Sequence, residues 1–150
     1  MKILHTFSKI NKKIKKITYE DKNGFYNIRV HLERDIYEFL FESGTWCCEI
    51  VCFYSYLGEP KDLNDNNVIK NLIPDTLLNY SSEVNKTIKE INIQQTDSNY
   101  ITFAFNNNKN RTLFTIQFHN EHNGYYPHNV HVNLYENGDK EPMKVLTTSI

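Results

Sequence analysis

The chain of 150 residues has no long hydrophobic run, and no apolar stretch approaches the roughly 18 residues that a membrane-spanning helix needs. Nothing at its N-terminus resembles a signal peptide. The net charge is only −1, which is unlike a protein that binds polyanions over its whole surface. Hydrophobic residues still make up 39% of the chain and aromatic residues 13%, which excludes a disordered protein. We therefore expect a single domain over residues 1–150, located in the cytoplasm and without a membrane segment.

Alanine and arginine are scarce. Ala104 is the only alanine, and lysines outnumber arginines 14 to 3. Lysine, asparagine, isoleucine, tyrosine and phenylalanine have AT-rich codons, whereas alanine, arginine, glycine and proline mostly have GC-rich ones. The composition therefore indicates an AT-rich genome, such as that of a low-GC bacterium, its phage or a large DNA virus.

The three cysteines lie in one segment, at Cys47, Cys48 and Cys52. Their number is odd and adjacent cysteines rarely bridge each other, so we expect reduced thiols in a reducing compartment. Strand alternation would place Cys48 and Cys52 on one face and Cys47 on the other. The sequence predicts no cofactor.

Charge is unevenly distributed along the chain. Residues 1–19 contain six lysines and no acidic residue, while the rest of the chain has 11 basic and 18 acidic residues, a balance of −7. A basic end on an acidic body could bind nucleic acid or an anionic surface. Lysines also discourage pairing at the edge of a sheet, which explains the same pattern without a ligand. Nucleic acid is therefore an unlikely partner.

Two segments of the chain resemble each other at an offset of 74 positions. Residues 11–17 read Asn-Lys-Lys-Ile-Lys-Lys-Ile and residues 85–91 read Asn-Lys-Thr-Ile-Lys-Glu-Ile. In each copy two runs of alternating apolar residues follow, at 25–32 and 35–42 and again at 100–105 and 112–118. We predict an internal pseudo-repeat over about 3–56 and 77–135, joined by a polar linker at about 58–72. The match is short, and chance is the alternative.

Each copy predicts a short amphipathic helix followed by antiparallel strands. The helical apolar positions are Ile3, Phe7 and Ile10 in the first copy and Leu77, Leu78 and Val84 in the second. The expected fold class is therefore α+β, mainly antiparallel β, with two similar αββββ-like halves in one domain. Residues 63–72 could add one helical turn.

The segment after Asn11 is open to two interpretations. Ile14 and Ile17 continue the helical spacing, so one continuous amphipathic helix is possible. We favour a strand, because the segment leads into Asn23-Gly24, a strong hairpin signal. Asn11, like Asn85 in the second copy, then ends the helix in a left-handed conformation.

The two most distinctive loops occupy equivalent places in the two copies. Residues 43–49 contain Trp46-Cys47-Cys48-Glu49, and residues 119–128 contain Asn123-Gly124-Tyr125-Tyr126. These motifs resemble a family of small uncharacterised bacterial and phage proteins, with an acidic residue before the paired cysteines and Ser-Asn-Gly-Tyr-Tyr near the C-terminus. Trp46 stands where that acid is usual, and His122 replaces the serine. The resemblance implies no established activity.

Ligand binding is the chemistry that these loops suit best. Aromatic rings can stack on a flat ring while amide and imidazole groups bind its polar edge. The predicted ligand-binding residues are Trp46, Asn120, His122, Asn123, Tyr125, Tyr126 and His128. A lysine or Arg29 would meet any phosphate. We also expect Trp46 to lie near the loop 119–128, within one chain or across a dimer interface.

Metal binding and nucleophilic catalysis are the weaker alternatives. Cys47, Cys48, His119 and His122 are zinc-capable, but adjacent cysteines in a strand point in opposite directions, so no metal is predicted. Cys47 or Cys48 with His122 and a nearby carboxylate or amide could form a cysteine nucleophile. The sequence does not show that these groups meet.

The sequence therefore predicts a non-enzymatic binding protein that sequesters a small nucleotide-like ligand or blocks a partner protein. A counter-defence role for a phage or virus, in the host cytoplasm, would suit the small size and the codon signature. The alternatives are a metal- or cysteine-dependent hydrolase and an oligomeric scaffold. A small polar ligand or a host protein is the expected partner, and a homodimer is possible.

Overall fold

The computed structural model describes residues 2–43, 50–59, 68–70, 85–96, 98–121 and 127–150. Within these ranges the chain forms only β-structure and no helix. The strands are β1 (Lys2–Phe7), β2 (Lys12–Lys22), β3 (Phe25–Leu32), β4 (Asp35–Glu42), β5 (Ile50–Leu57), β6 (Val68–Lys70), β7 (Thr87–Ile88), β8 (Glu90–Thr96), β9 (Tyr100–Asn106), β10 (Thr112–Glu121), β11 (Asn129–Tyr135) and β12 (Met143–Ser149). The predicted α+β class, with its αββββ-like halves, is therefore wrong: the described residues are all-β and antiparallel.

The predicted first helix is the strand β1, and a β-bulge explains the error. β1 pairs with β8, and its register shifts between Ile3 and His5. The extra residue breaks the strict alternation, so Leu4 and Phe7 both pack on the core although they lie three positions apart. Ile3, which the helical pattern placed inside, is 64% exposed. A bulged strand thus mimics the spacing of a helix.

The same effect acts in β2. Its register against β3 shifts between Ile14 and Lys16, which brings Ile14 and Ile17 to the same core face. The prediction of a strand after Asn11 is confirmed. Asn11 does adopt a left-handed conformation, with φ 52°, but it connects two strands rather than ending a helix.

The remaining turn and linker predictions have mixed outcomes. The hairpin at Asn23-Gly24 is confirmed, with φ values of 57° and 79° between β2 and β3. Asn85 also has a positive φ, 72°. Residues Val68–Lys70 pair with β5 as a strand, so the helical turn predicted for 63–72 is wrong there. The second predicted helix, at Leu77, Leu78 and Val84, lies outside the described residues.

Two six-stranded antiparallel sheets make up the fold. The first sheet has the order β1-β8-β9-β10-β5-β6 and the second has the order β12-β11-β4-β3-β2-β7. Each is built around a three-stranded meander, β8-β9-β10 or β2-β3-β4. The next strand after each meander crosses to the other sheet, so that β5 pairs with β10 and β11 pairs with β4. Both halves thus share one strand order, while their origin by duplication stays a prediction.

Aromatic side chains from both sheets meet in the core. Phe39 of the second sheet lies 5.0 Å from Phe103 of the first, and Phe41 stacks on Phe118 at 4.7 Å between ring centroids. These rings are fully buried, and burial of each such side chain stabilises the fold by roughly 1.5–3 kcal/mol. The alternate residues of each strand must therefore face outwards, and the outer faces are where a site can lie.

Candidate functional site

Most of the site residues predicted from the sequence lie outside the described part of the chain. These are Trp46, Cys47, Cys48, His122, Asn123, Tyr125 and Tyr126. The expected proximity of Trp46 to the loop 119–128 therefore stays a prediction, as does the state of the thiols. Asn120, His128 and His119 are described.

Asn120 and His128 contribute to the packing at one end of the fold. Both are buried, at 0% and 1% exposure. The Asn120 side-chain amide donates to the carbonyl of Ile150 at 2.9 Å, and the His128 and Ile150 backbones bond reciprocally at 2.7 and 3.1 Å. The His128 ring nitrogen Nδ1 lies 2.7 Å from the carbonyl oxygen of Glu42, so it carries the hydrogen in this contact. The bonds join β10, β4 and both ends of the last hairpin.

His119 lies on the outer face of the first sheet. It is 7% exposed, and its ring stacks on Tyr100 at 4.3 Å with an interplanar angle of 7°. The ring centroid of Tyr54 lies 6.1 Å away. Among the described residues, no three His, Cys, Asp or Glu side chains come together in a way that could hold a metal ion. The zinc-capable residues predicted from the sequence also include Cys47, Cys48 and His122, which lie outside the described residues.

The outer face of the second sheet contains a buried carboxylate. Glu38 on β4 is only 4% exposed, although it points away from the core. Arg29 lies opposite on β3, with Nε and Nη2 at 2.8 and 2.7 Å from Oε2 of Glu38. Asn27 donates to the same oxygen at 3.3 Å, and Asn133 on β11 donates to Oε1 at 3.0 Å. A carboxylate with this many donors is well compensated for its burial.

Glu38 thereby fixes the guanidinium of Arg29. The same guanidinium lies over the ring of Tyr135, 5.6 Å from its centroid. Burial and the charge of Glu38 raise the pKa of Tyr135, an effect that Arg29 opposes. The Arg29 side chain is still 40% exposed, and its Nη1 makes no hydrogen bond among the described residues. One edge of the guanidinium is therefore held in place while the other remains open to a ligand.

A cavity of about 340 Å³ opens beside Arg29, between β2 and β3. Its lining residues are Lys16, Thr18, Tyr19, Glu20, Asn27, Arg29 and His31. The bulge in β2 sets Lys15 and Lys16 against the single residue His31, so two exposed ammonium groups follow one another there. The cavity is therefore basic at the end that lies near the C-terminus of β3.

The surroundings of this cavity shift the pKa values of two of its residues, His31 and Tyr19. Partial burial, and then the charges of Lys16 and Arg29, lower the pKa of His31. The part of this shift that comes from Lys16 and Arg29 reflects positive charges that an anion in the cavity would also meet. Burial above all raises the pKa of Tyr19 to about 12, so its phenol keeps its proton.

A second cavity of about 300 Å³ adjoins the first and is partly apolar. It shares Glu20, Asn27 and Arg29 with the first and adds Lys22, Asn23, Phe25 and Leu40. The ring of Phe25 lies 5.9 Å from the ring of His131. Asn27 lines both cavities, and its side-chain oxygen Oδ1 is buried without a hydrogen-bond partner among the described residues. An unmet buried acceptor is unusual and needs an explanation.

The corresponding face of the first sheet differs. There, Tyr56 donates to Gln117 at 3.2 Å, and Gln117 donates to Thr102 at 3.0 Å. The Thr115 hydroxyl donates to the carbonyl of Gly58 at 2.8 Å. Tyr56, Thr102 and Thr115 are all buried. The open and charged face is that of the second sheet, and we take it as the candidate site.

Sequence reasoning named only Arg29 among these residues. It missed Asn27, His31 and Glu38, although a signal was present: β3 alternates Phe25, Asn27, Arg29 and His31 with buried apolar residues. The alternation alone assigns these side chains to one face. It does not show which residues of β2 and β4 lie opposite, and that pairing creates the site.

Scans against known protein families, curated proteins and solved structures find no match to this chain. The resemblance to the bacterial and phage family with paired cysteines therefore stays a hypothesis. In the described part of the chain, no helix is long and apolar enough to cross a membrane.

Proposed function

We propose that the protein is a non-enzymatic binding protein that holds a small nucleotide-like anion on the outer face of its second sheet. One observation carries the proposal: a basic cavity and a cavity lined by Phe25 adjoin, and both are lined by Asn27 and Arg29. A nucleotide combines the three matching groups, namely a phosphate, a flat ring and hydrogen-bond donors.

The anion is best placed at Arg29. A guanidinium offers donors in a fixed geometry that suits phosphate oxygens, and Glu38 already holds this one in place. Binding therefore loses little side-chain entropy at Arg29. Lys16 adds a second positive charge at the same cavity. Glu20 also lines this cavity and lies opposite Asn27. Its negative charge disfavours a phosphate at that end and so favours one towards His31.

The ring of the ligand is best placed against Phe25. This side chain lines the second cavity next to Leu40, while the amide of Asn27 lies between the two cavities. A base or sugar placed there would lie against the Asn27 side chain, which lines both cavities. The groups named here bind and orient a ligand, so we propose sequestration rather than turnover, in the cytoplasm.

Nucleoside monophosphates and inorganic phosphate, titrated by calorimetry and by NMR, test this proposal. We expect at least one monophosphate to bind more tightly than phosphate and to shift the side-chain signals of Arg29, Asn27 and His31. Arg29→Gln should weaken binding at least tenfold. Arg111→Gln is the matched control, because Arg111 is an exposed arginine before β10 of the other sheet. Equal binding by both variants, or no binding of any monophosphate by the unaltered protein, would refute the proposal.

A further inference from the structure

The lysines of β2 extend the basic cavity beyond Lys16. Lys13 and Lys15 are exposed, and both precede Lys16 on the same strand. Lys12 is different, because its ammonium group is paired with the buried carboxylate of Asp35. We call Lys13, Lys15 and Lys16 the lysine strip.

Protection of a sheet edge does not explain Lys13. At this position β2 already has a neighbour on its second side, because Lys12 pairs with Ile88 and Lys13 with Thr87. The hydrogen bond from Ile14 N to the Lys86 carbonyl, at 2.9 Å, continues the pairing. An edge that is already paired needs no lysine to prevent aggregation.

The strip lies in line with the two cavities. Antiparallel pairing sets Lys22 opposite Phe25, Thr18 opposite Arg29 and Lys16 opposite His31. Moving along the sheet, a ligand would thus meet the phenyl ring, then the guanidinium, and then the lysine strip. Each pair of residues along a strand advances by roughly 7 Å, so the strip begins one pair beyond Arg29.

Charge near the strip is positive on balance. Two acidic side chains lie near the strip: Glu33, whose carboxylate accepts the backbone N–H of Lys13 at 3.1 Å, and Glu20, which lines the same cavity as Lys16. Asp35 is occupied by Lys12 and by the backbone N–H of Asn137 at 2.9 Å.

We infer that the ligand is a nucleoside di- or triphosphate, with its first phosphate at Arg29 and its outer phosphates on the lysine strip. This inference rests on the proposed function, and it assigns the strip a role that a monophosphate would leave unused. Each phosphate that reaches the strip adds a charge-assisted contact and makes binding more sensitive to salt.

Calorimetric titration with AMP, ADP and ATP, in EDTA to remove divalent cations, tests the inference. ATP should bind at least tenfold more tightly than AMP, with a steeper loss of affinity as salt rises. The double variant Lys13→Gln/Lys15→Gln should abolish the gain in affinity from AMP to ATP. It should change the affinity for AMP less than twofold. The charge-conserving variant Lys13→Arg/Lys15→Arg should keep the gain.

A matched control removes two positive charges elsewhere. Lys2 and Lys109 are exposed lysines of the first sheet and its β9–β10 turn, and Lys2→Gln/Lys109→Gln should keep the gain within twofold. If AMP binds but ATP binds no better, or if the two glutamine variants behave alike, the inference is overturned and the proposed function stands. If none of the nucleotides binds, the inference and the proposed function are both overturned.

Discussion

Glutamine at position 38 would keep the shape of the buried side chain and remove its charge. In the native protein, Oε2 of Glu38 lies 2.8 Å from Nε and 2.7 Å from Nη2 of Arg29. Glutamine has one oxygen with which to accept these bonds, and its amide group must then face the Nδ2 of Asn133, which donates to Oε1 at 3.0 Å. Asn133 can relieve that clash by rotating its own amide, so the principal loss is the charge of the acceptor.

The size of this loss follows from the two bonds to Arg29. A hydrogen bond to a charged group contributes about 1.5–3 kcal/mol, compared with about 0.5–1.5 kcal/mol for a neutral one. Two weakened bonds predict a loss of about 2 kcal/mol. Because Arg29 is 40% exposed, water replaces part of the interaction, and we expect Glu38→Gln to cost about 1–2 kcal/mol. For a domain of this length the melting temperature should fall by about 2–8 °C.

Urea denaturation of the two single variants and the double variant measures the pair directly. The coupling energy between Glu38→Gln and Arg29→Gln should be about 1–2 kcal/mol, with unchanged m-values. Glu20→Gln removes the same charge from an exposed position on the same face and should change stability by less than about 0.5 kcal/mol. A coupling energy below about 0.5 kcal/mol would show that the buried carboxylate does not hold Arg29 in place.

Three further predictions use other parts of the second sheet. Gly24→Ala should destabilise the protein by about 1–2 kcal/mol in urea, because Gly24 has φ 79° and nothing lies near its Cβ position to offset the strain. The lowered pKa of His31 means that the unfolded chain binds more protons below pH about 6.5, so the urea midpoint should fall on acidification, and less so in His31→Gln. Burial, then the charges of Asp35 and Glu136, raise the pKa of Tyr37 to about 12, so Asp35→Asn should lower that pKa in an NMR titration.

Each of these has an outcome that would contradict it. An unchanged urea midpoint in Gly24→Ala would mean that the turn relaxes to another conformation. If His31→Gln and the native protein lose stability equally between pH 7.5 and 5, His31 does not account for the acid sensitivity. An unchanged Tyr37 titration in Asp35→Asn would leave burial and the charge of Glu136 as the causes of its raised pKa.

Strand alternation was the dependable signal in this sequence. The runs at β3, β4, β9 and β10 were found from their apolar periodicity, and the hairpin at Asn23-Gly24 was found from its turn residues. The helix predicted at Ile3, Phe7 and Ile10 was a mistake because the bulge at Ile3/His5 adds one residue to a period of two. The bulge at Ile14/Lys16 made a continuing helix an alternative to the strand that is present. A period of two with one insertion gives spacings of three, which a single sequence cannot distinguish from a helical turn.

The site was harder to predict than the fold. Glu38 and Arg29 lie nine positions apart on neighbouring strands, and their contact depends on the register of the hairpin that joins β3 to β4. Asn133 comes from β11, which reaches this sheet only after the chain has crossed to the other sheet and returned. Residue patterns within one strand contain no information about such partners. Composition drew attention instead to the loops rich in His, Asn and Tyr.

The crossing of β5 and β11 between the sheets has a consequence for how the chain folds. The strand β4 gains its second neighbour only when residues 129–135 are present, and β10 gains its second neighbour from residues 50–57. Neither half can complete a sheet by itself, so the two halves must fold as one cooperative unit. Pairings this distant in sequence make folding slow, on the order of milliseconds to seconds for β-rich domains. During synthesis the edge of β4 stays unpaired until β11 emerges, and it is in this interval that the chain is most exposed to aggregation through strand pairing.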